Sequence, residues 1–143
     1  MKIIIVLCLA VLSVAADTYS DKFDSIDIEE IMENCRMLVP YENCILGKQK
    51  CTKDGQELKS HITEAIENKC VKCTEIQKEK AHRAACVLSN CQPTFWKEAT
   101  AMYDPDNKHM NANQDEYNQA TKCEVDCTKY KECDLTSGRP VDE

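Results

Sequence analysis

The stretch that decides the fold is CILGKQKCTKDGQELKSHITEAIENKCVKC, residues 44–73. Its four cysteines, Cys44, Cys51, Cys70 and Cys73, are separated by six, eighteen and two residues. Between the middle pair, Thr52 is a good helix N-cap, and Leu58, Ile62, Ala65 and Ile66 recur at i, i+4, i+7 and i+8. That is the apolar face of one α-helix.

Working outward, the same signals repeat. Upstream, Asp27 with Glu30 caps a short amphipathic helix bearing Ile28, Ile31, Met32 and Cys35. Asn34 can cap a second one bearing Leu38, Tyr41, Ile45 and Leu46, which is expected to start or bend near Pro40 because proline removes a backbone donor. Downstream, Thr74 and Gln77 form a capping box for a long helix past Ile76, Ala84, Val87 and Leu88 toward Cys91. Pro93 then suits a first helical position, and Phe95, Trp96, Ala99, Met102 and Tyr103 repeat at three and four residues until Asp104-Pro105-Asp106-Asn107. Tyr117, Ala120, Cys123, Cys127 and Tyr130 predict a sixth helix from about Asp115 to Lys131. Glycine is scarce and no run alternates β-branched and aromatic residues, so the fold class is all-α, about six amphipathic helices.

The start of the chain sets the compartment. Lys2, an uncharged run from Ile3 to Val14 and the small pair Ala15-Ala16 read as a secretory signal peptide over residues 1–16, with the mature chain beginning at Asp17. The run is too short to span a membrane, which takes about 20 apolar residues. The mature chain keeps 17 basic and 25 acidic residues, a net charge of −8, which disfavours nucleic acid and anionic lipid as partners. Cys8 leaves with the signal, and ten cysteines in a short exported chain imply a disulfide framework.

Chemistry is harder to find. Cys70-Val71-Lys72-Cys73 opens a helix as redox pairs do, yet such pairs belong to a βαβ scaffold that this sequence lacks. Zinc held by the four cysteines would compete with oxidation in an exported chain. His61, His82 and His109 sit in no zinc-protease pattern, and there is no nucleophile elbow or phosphate loop. No enzyme activity, metal or cofactor is expected.

The cysteine spacing and its surrounding words resemble the insect chemosensory proteins. The words are Asn34-Cys35-Arg36-Met37-Leu38 with Tyr41, then Cys51-Thr52-Lys53-Asp54-Gly55-Gln56-Glu57-Leu58-Lys59, Cys70-Val71-Lys72-Cys73-Thr74 with Gln77-Lys78, and Pro93-Thr94-Phe95-Trp96-Lys97-Glu98 leading to Tyr103-Asp104-Pro105. The resemblance runs from about Tyr19 to Asn107. It implies sequential bridges, Cys44 with Cys51 and Cys70 with Cys73, which spacing alone does not select from three connectivities. It also implies a secreted, extracellular, monomeric carrier that holds long apolar molecules, such as fatty-acyl derivatives and semiochemicals, in an internal channel. By position, the implied walls are Leu38, Tyr41, Ile45, Leu46, Leu58, Ile62, Ile66, Ile76, Val87, Leu88 and Trp96. Tyr41 and Trp96 each add a polar handle to an apolar ring. The rival reading is an extracellular interaction, effector or developmental protein on the same scaffold without an open cavity.

The chain departs from the family pattern at Pro40, at the small residues Ala84, Ala85 and Ala99, and in its tail. The expected organisation is a helical domain over 17–108 and an acidic, cysteine-containing tail over 109–143, with one helix docked on the domain. Cys35, Cys86, Cys91, Cys123, Cys127 and Cys133 allow fifteen pairings. At least one bridge from Cys123, Cys127 or Cys133 to Cys35, Cys86 or Cys91 is expected, with the tail covering an opening left by Ala84 and Ala85. The rivals are a self-contained tail knot or an odd cysteine linking two chains.

Overall fold

The computed structural model describes residues 17–142; the signal peptide expected over residues 1–16 lies outside them. A 3-10 turn, Asp21–Ser25, precedes α1 (Ile28–Glu33), α2 (Cys35–Ile45), α3 (Lys53–Glu67), α4 (Glu75–Cys91), α5 (Pro93–Tyr103), α6 (Lys108–Ala112) and α7 (Gln114–Thr121). Among the described residues there is no strand, only an isolated bridge between Cys133 and Pro140. No helix among them is long and apolar enough to cross a membrane.

The caps read from the sequence set the starts of α1 to α4. Asp27 accepts from the N–H groups of Glu29 and Glu30, Asn34 from Arg36, and Thr52 from Gly55. Thr74 and Gln77 form the reciprocal capping box. Pro40 neither starts nor ends α2, which runs from Cys35 through it to Ile45. The carbonyl that loses its donor belongs to Arg36, an exposed residue, so water can serve it. Gly55 is the buried residue of α3, and a Cβ there would lie 3.2 Å from the Cys44 sulfur and 3.2 Å from the Thr52 hydroxyl.

All ten cysteines of the described residues are bonded. Cys44–Cys51 closes the corner between α2 and α3, and Cys70–Cys73 the corner between α3 and α4. Three further bridges, Cys35–Cys133, Cys86–Cys123 and Cys91–Cys127, join the tail to α2 and α4.

The tail differs from the single helix predicted over Asp115–Lys131. Helix α7 stops at Thr121, whose hydroxyl bonds back to the Tyr117 carbonyl at 2.8 Å. Beyond it the Asp126 carboxylate accepts from both the N–H (2.9 Å) and the hydroxyl (2.7 Å) of Thr128. Such a local turn competes with helical bonding, and Cys123, Cys127 and Cys133 reach their partners from irregular chain. Helix α6 has no counterpart among the expected helices. Asp104, just past the end of α5, reaches forward to accept from His109 N–H and Met110 N–H, each at 3.0 Å.

The tail also enters the core. Met32 of α1, Cys35, Leu38 and Val39 of α2, Val87 and Cys91 of α4, and Tyr130 and Cys133 of the tail form one buried cluster, with Ile28, Ile31, Ala84, Leu88 and Val125 packed against it.

At the other end of the chain, residues 19–26 form a strap from α3 to the start of α4. Tyr19 donates its hydroxyl to Glu64 (3.1 Å) and its N–H to the Lys72 carbonyl (2.8 Å), and its ring lies 4.2 Å from that of His61. Lys22 pairs with Asp54 and Glu57. Asp24 accepts from Thr74 (3.0 Å) and Gln77 (2.9 Å), and Lys80 donates to the Asp24 carbonyl (2.6 Å).

Candidate ligand-binding site

The expected wall residues divide into three groups. Leu38, Leu46 and Val87 are buried; Tyr41, Ile45, Ile62, Ile66, Leu88 and Trp96 are half-buried; Leu58 and Ile76 are exposed, at 40% and 47%. The fold brings Leu38, Val87 and Leu88 together in the core cluster, which does not gather Leu58, Ile62, Ile66 or Ile76. The apolar stripe of α3 is thus regular in spacing yet only partly covered by protein.

Two open clefts lie away from these residues. One, about 430 Å³, is lined by Ser25, Ile26 and Asp27 on one side and Glu79, Lys80 and Arg83 of α4 on the other. The second, about 260 Å³, lies between α2 and the tail, where Arg36, Val39, Pro40 and Asn43 meet Leu135, Thr136 and Ser137. Among the described residues no group of His, Cys, Asp and Glu is placed to hold a metal ion.

Polar groups near the apolar interior come from α1, α2, α4, α5 and the tail. Tyr103 donates its hydroxyl to the Ile45 carbonyl at 2.7 Å, and burial raises its pKa. Glu29 receives Arg83 Nε at 2.7 Å and the Tyr130 hydroxyl, and Arg83 also donates to Tyr130 at 2.7 Å. The Arg83 guanidinium holds the Glu29 carboxyl below its ordinary range.

Glu42 is different. It is 1% exposed, neither carboxyl oxygen has a hydrogen-bond partner, and burial pushes its pKa up to about 8, with Glu132 adding to the shift. It is not among the wall residues that the family resemblance implies, whose polar handles are Tyr41 and Trp96. The signal that finds it is spacing, since Glu42 stands four residues after Leu38 and four before Leu46, on their face of α2.

Residues 19–111 match the family described as insect pheromone-binding family, A10/OS-D. The chain belongs to the insect chemosensory proteins. Among curated relatives, it is 43% identical over 99 residues to Allergen Tha p 1 of Thaumetopoea pityocampa, covering 69% of this chain and 79% of that protein. It is 36% identical over 108 residues to Ejaculatory bulb-specific protein 3 of Drosophila melanogaster, covering 74% and 86%. Among solved structures, a chemosensory protein in complex with bromo-dodecanol matches with a TM-score of 0.63 and 43% identity, over 68% of this chain and 98% of that one. Antennal chemosensory protein A6 of the moth Mamestra brassicae matches with a TM-score of 0.56 and 41% identity, over 66% and 93%.

The two corner bridges fall wholly inside the matched chemosensory segment, whereas each of the three tail bridges has one end beyond residue 111. The tail is an addition to the matched scaffold, and it supplies Tyr130 and Cys133 to the scaffold's own core.

Proposed function

We propose that this chemosensory protein is a secreted, monomeric, non-enzymatic carrier of long apolar molecules, held along a channel whose walls are the eleven residues from Leu38 to Trp96 named above. The observation that carries the reading is the 43% identity to a chemosensory protein solved with bromo-dodecanol, spanning 98% of that chain. The half-covered stripe of α3 supports it, because Ile62, Ile66 and Leu58 leave apolar surface that an alkyl chain could cover. Each methylene buried contributes about 0.8 kcal/mol before ordering costs. Micromolar binding corresponds to about −8 kcal/mol, so a chain of roughly a dozen carbons is enough.

Displacement of a fluorescent apolar probe by a series of straight-chain alcohols tests this on the oxidised mature protein. Affinity should rise with chain length and level off once the channel is full. Failure of the probe to bind, or affinity independent of length, would defeat the carrier reading.

A further inference from the structure

The inward face of α2 carries Cys35, Leu38, Val39, Glu42 and Leu46, all between 1% and 8% exposed. An acid in the middle of such a face needs partners, because a buried polar group without hydrogen bonds is costly. Other buried side chains are better served, although the Oδ1 of Asn43 also lacks a partner. Asn43 donates to the Leu135 carbonyl at 2.8 Å, while Gln92, also 1% exposed, donates to the Lys131 carbonyl at 2.7 Å and accepts from Cys133 N–H at 2.8 Å. Glu42 has no partner for either oxygen. On the helix it lies one turn from Leu38 on one side and one turn from Ile45 and Leu46 on the other, three of the proposed wall residues.

We propose that the Glu42 carboxyl is the head-group anchor of the ligand channel, selecting long chains that end in a neutral hydrogen-bonding group, alcohols foremost, over fatty-acid anions. This rests on the carrier reading. Burial favours the protonated form, which offers one O–H donor together with acceptor oxygens, the complement of a hydroxyl head. A carboxylate head can only accept from the neutral Glu42, leaving the second oxygen of that carboxyl without a donor, and it brings a negative charge within the field of Glu132. The tail crosses this face, fixed by Cys35–Cys133 and by the Asn43 bond to Leu135. Since the tail lies beyond the family match, its crossing of this face belongs to this chain's extension.

The test compares dodecan-1-ol with dodecanoic acid as displacers of a fluorescent apolar probe at pH 6.5, on wild type, Glu42→Gln and Glu42→Leu. Wild type should prefer the alcohol at least tenfold. Glu42→Gln, still a donor and acceptor, should keep most of that preference. Glu42→Leu should bind the probe and show an unchanged circular dichroism spectrum, yet lose the preference. In addition, the infrared band of a protonated carboxyl, present in wild type and missing in Glu42→Gln, should shift when dodecan-1-ol is added. Equal affinities for both displacers in wild type, a preference that survives in Glu42→Leu, or an unshifted band would overturn the anchor while leaving the carrier reading standing. If no probe binds wild type, the carrier reading fails and the anchor with it.

Discussion

The two ends of the described chain hold the helical body by opposite means. The strap of residues 19–26 joins α3 to α4 through hydrogen bonds and ion pairs, many of them on the surface. The tail joins α2 to α4 through three disulfides and places Tyr130 in the core at 2% exposure. Surface ion pairs are each worth little and are screened by salt, whereas a bridge between distant residues limits the unfolded chain whatever the solvent. The strap is therefore the end that can let go under native conditions, and the tail the end that cannot.

The largest expected effect breaks the tail side. Cys35 and Cys133 are 98 residues apart, and closing a loop of about 100 residues is worth about 4.7 kcal/mol in the chain-entropy account, against about 2 kcal/mol for a very short loop. Denaturant unfolding of the Cys35→Ser, Cys133→Ser double variant should show a loss more than twice that of the Cys70→Ser, Cys73→Ser variant. Equal losses would mean that the tail bridge acts on local geometry alone.

Acid and base should stress the two ends in opposite directions. Glu42, on the α2 face that the tail crosses, has its folded pKa raised to about 8 by burial. The folded state then binds the extra proton between the ordinary carboxylate range and pH 8, so stability falls as pH rises through that window, on the order of 3 kcal/mol by pH 7. Urea midpoints for wild type should decline from pH 5 to pH 8, and the slope should flatten in Glu42→Gln. On the strap side, Glu64 is held below its ordinary value by Lys72 and then by Tyr19. Its contribution is present above the unfolded carboxylate pKa and is lost as pH falls through the lowered folded value. Protection factors of the strap amides, measured against intrinsic exchange at each pH, should accordingly fall in acid before those of the tail amides do.

A smaller effect sharpens the core contribution of the tail. Tyr130→Phe keeps the buried ring and removes the hydroxyl shared by Glu29 and Arg83. Because those two remain paired with each other, the expected loss is about 1 to 1.5 kcal/mol, read as a shift in thermal midpoint with the bridges intact. The smallest is Lys22→Ala, which removes the exposed pairs to Asp54 and Glu57. Its effect on global stability should fall within error and vanish in high salt, while the strap amides exchange faster.

What could be read from residues alone follows from where structure is decided locally. The starts of α1 to α4 rest on side-chain caps a few residues away from the groups they serve, and α5 on Pro93, so spacing was enough. The tail helix ends earlier than its stripe predicts because Cys123 and Cys127 fit helical spacing without being apolar packing residues. They are placed instead by their partners on α4, and Thr121 and Asp126 spend their side chains on local turns. Helix α6 depends on Asp104 reaching five and six residues ahead, outside the usual capping distance. The wall stripes were legible as stripes, but periodicity gives the direction of a face and not what covers it, as half-exposed α3 shows. Glu42 carries a charge, and burial of a charged residue type depends on neighbours distant in sequence, which spacing along one helix does not reveal.

The pairing pattern also dictates an order of maturation. Cys44–Cys51 and Cys70–Cys73 link residues seven and three apart, so each can oxidise as soon as its own corner has emerged during synthesis. Cys35, Cys86 and Cys91 have partners only in the last part of the chain, from Cys123 to Cys133. Three thiols of the body must therefore wait, reduced and open to thiol–disulfide exchange, until nearly the whole polypeptide has been made. A ribosome that stalls before residue 123 would release a scaffold with both corners closed and those three sulfurs exposed to the wrong partner.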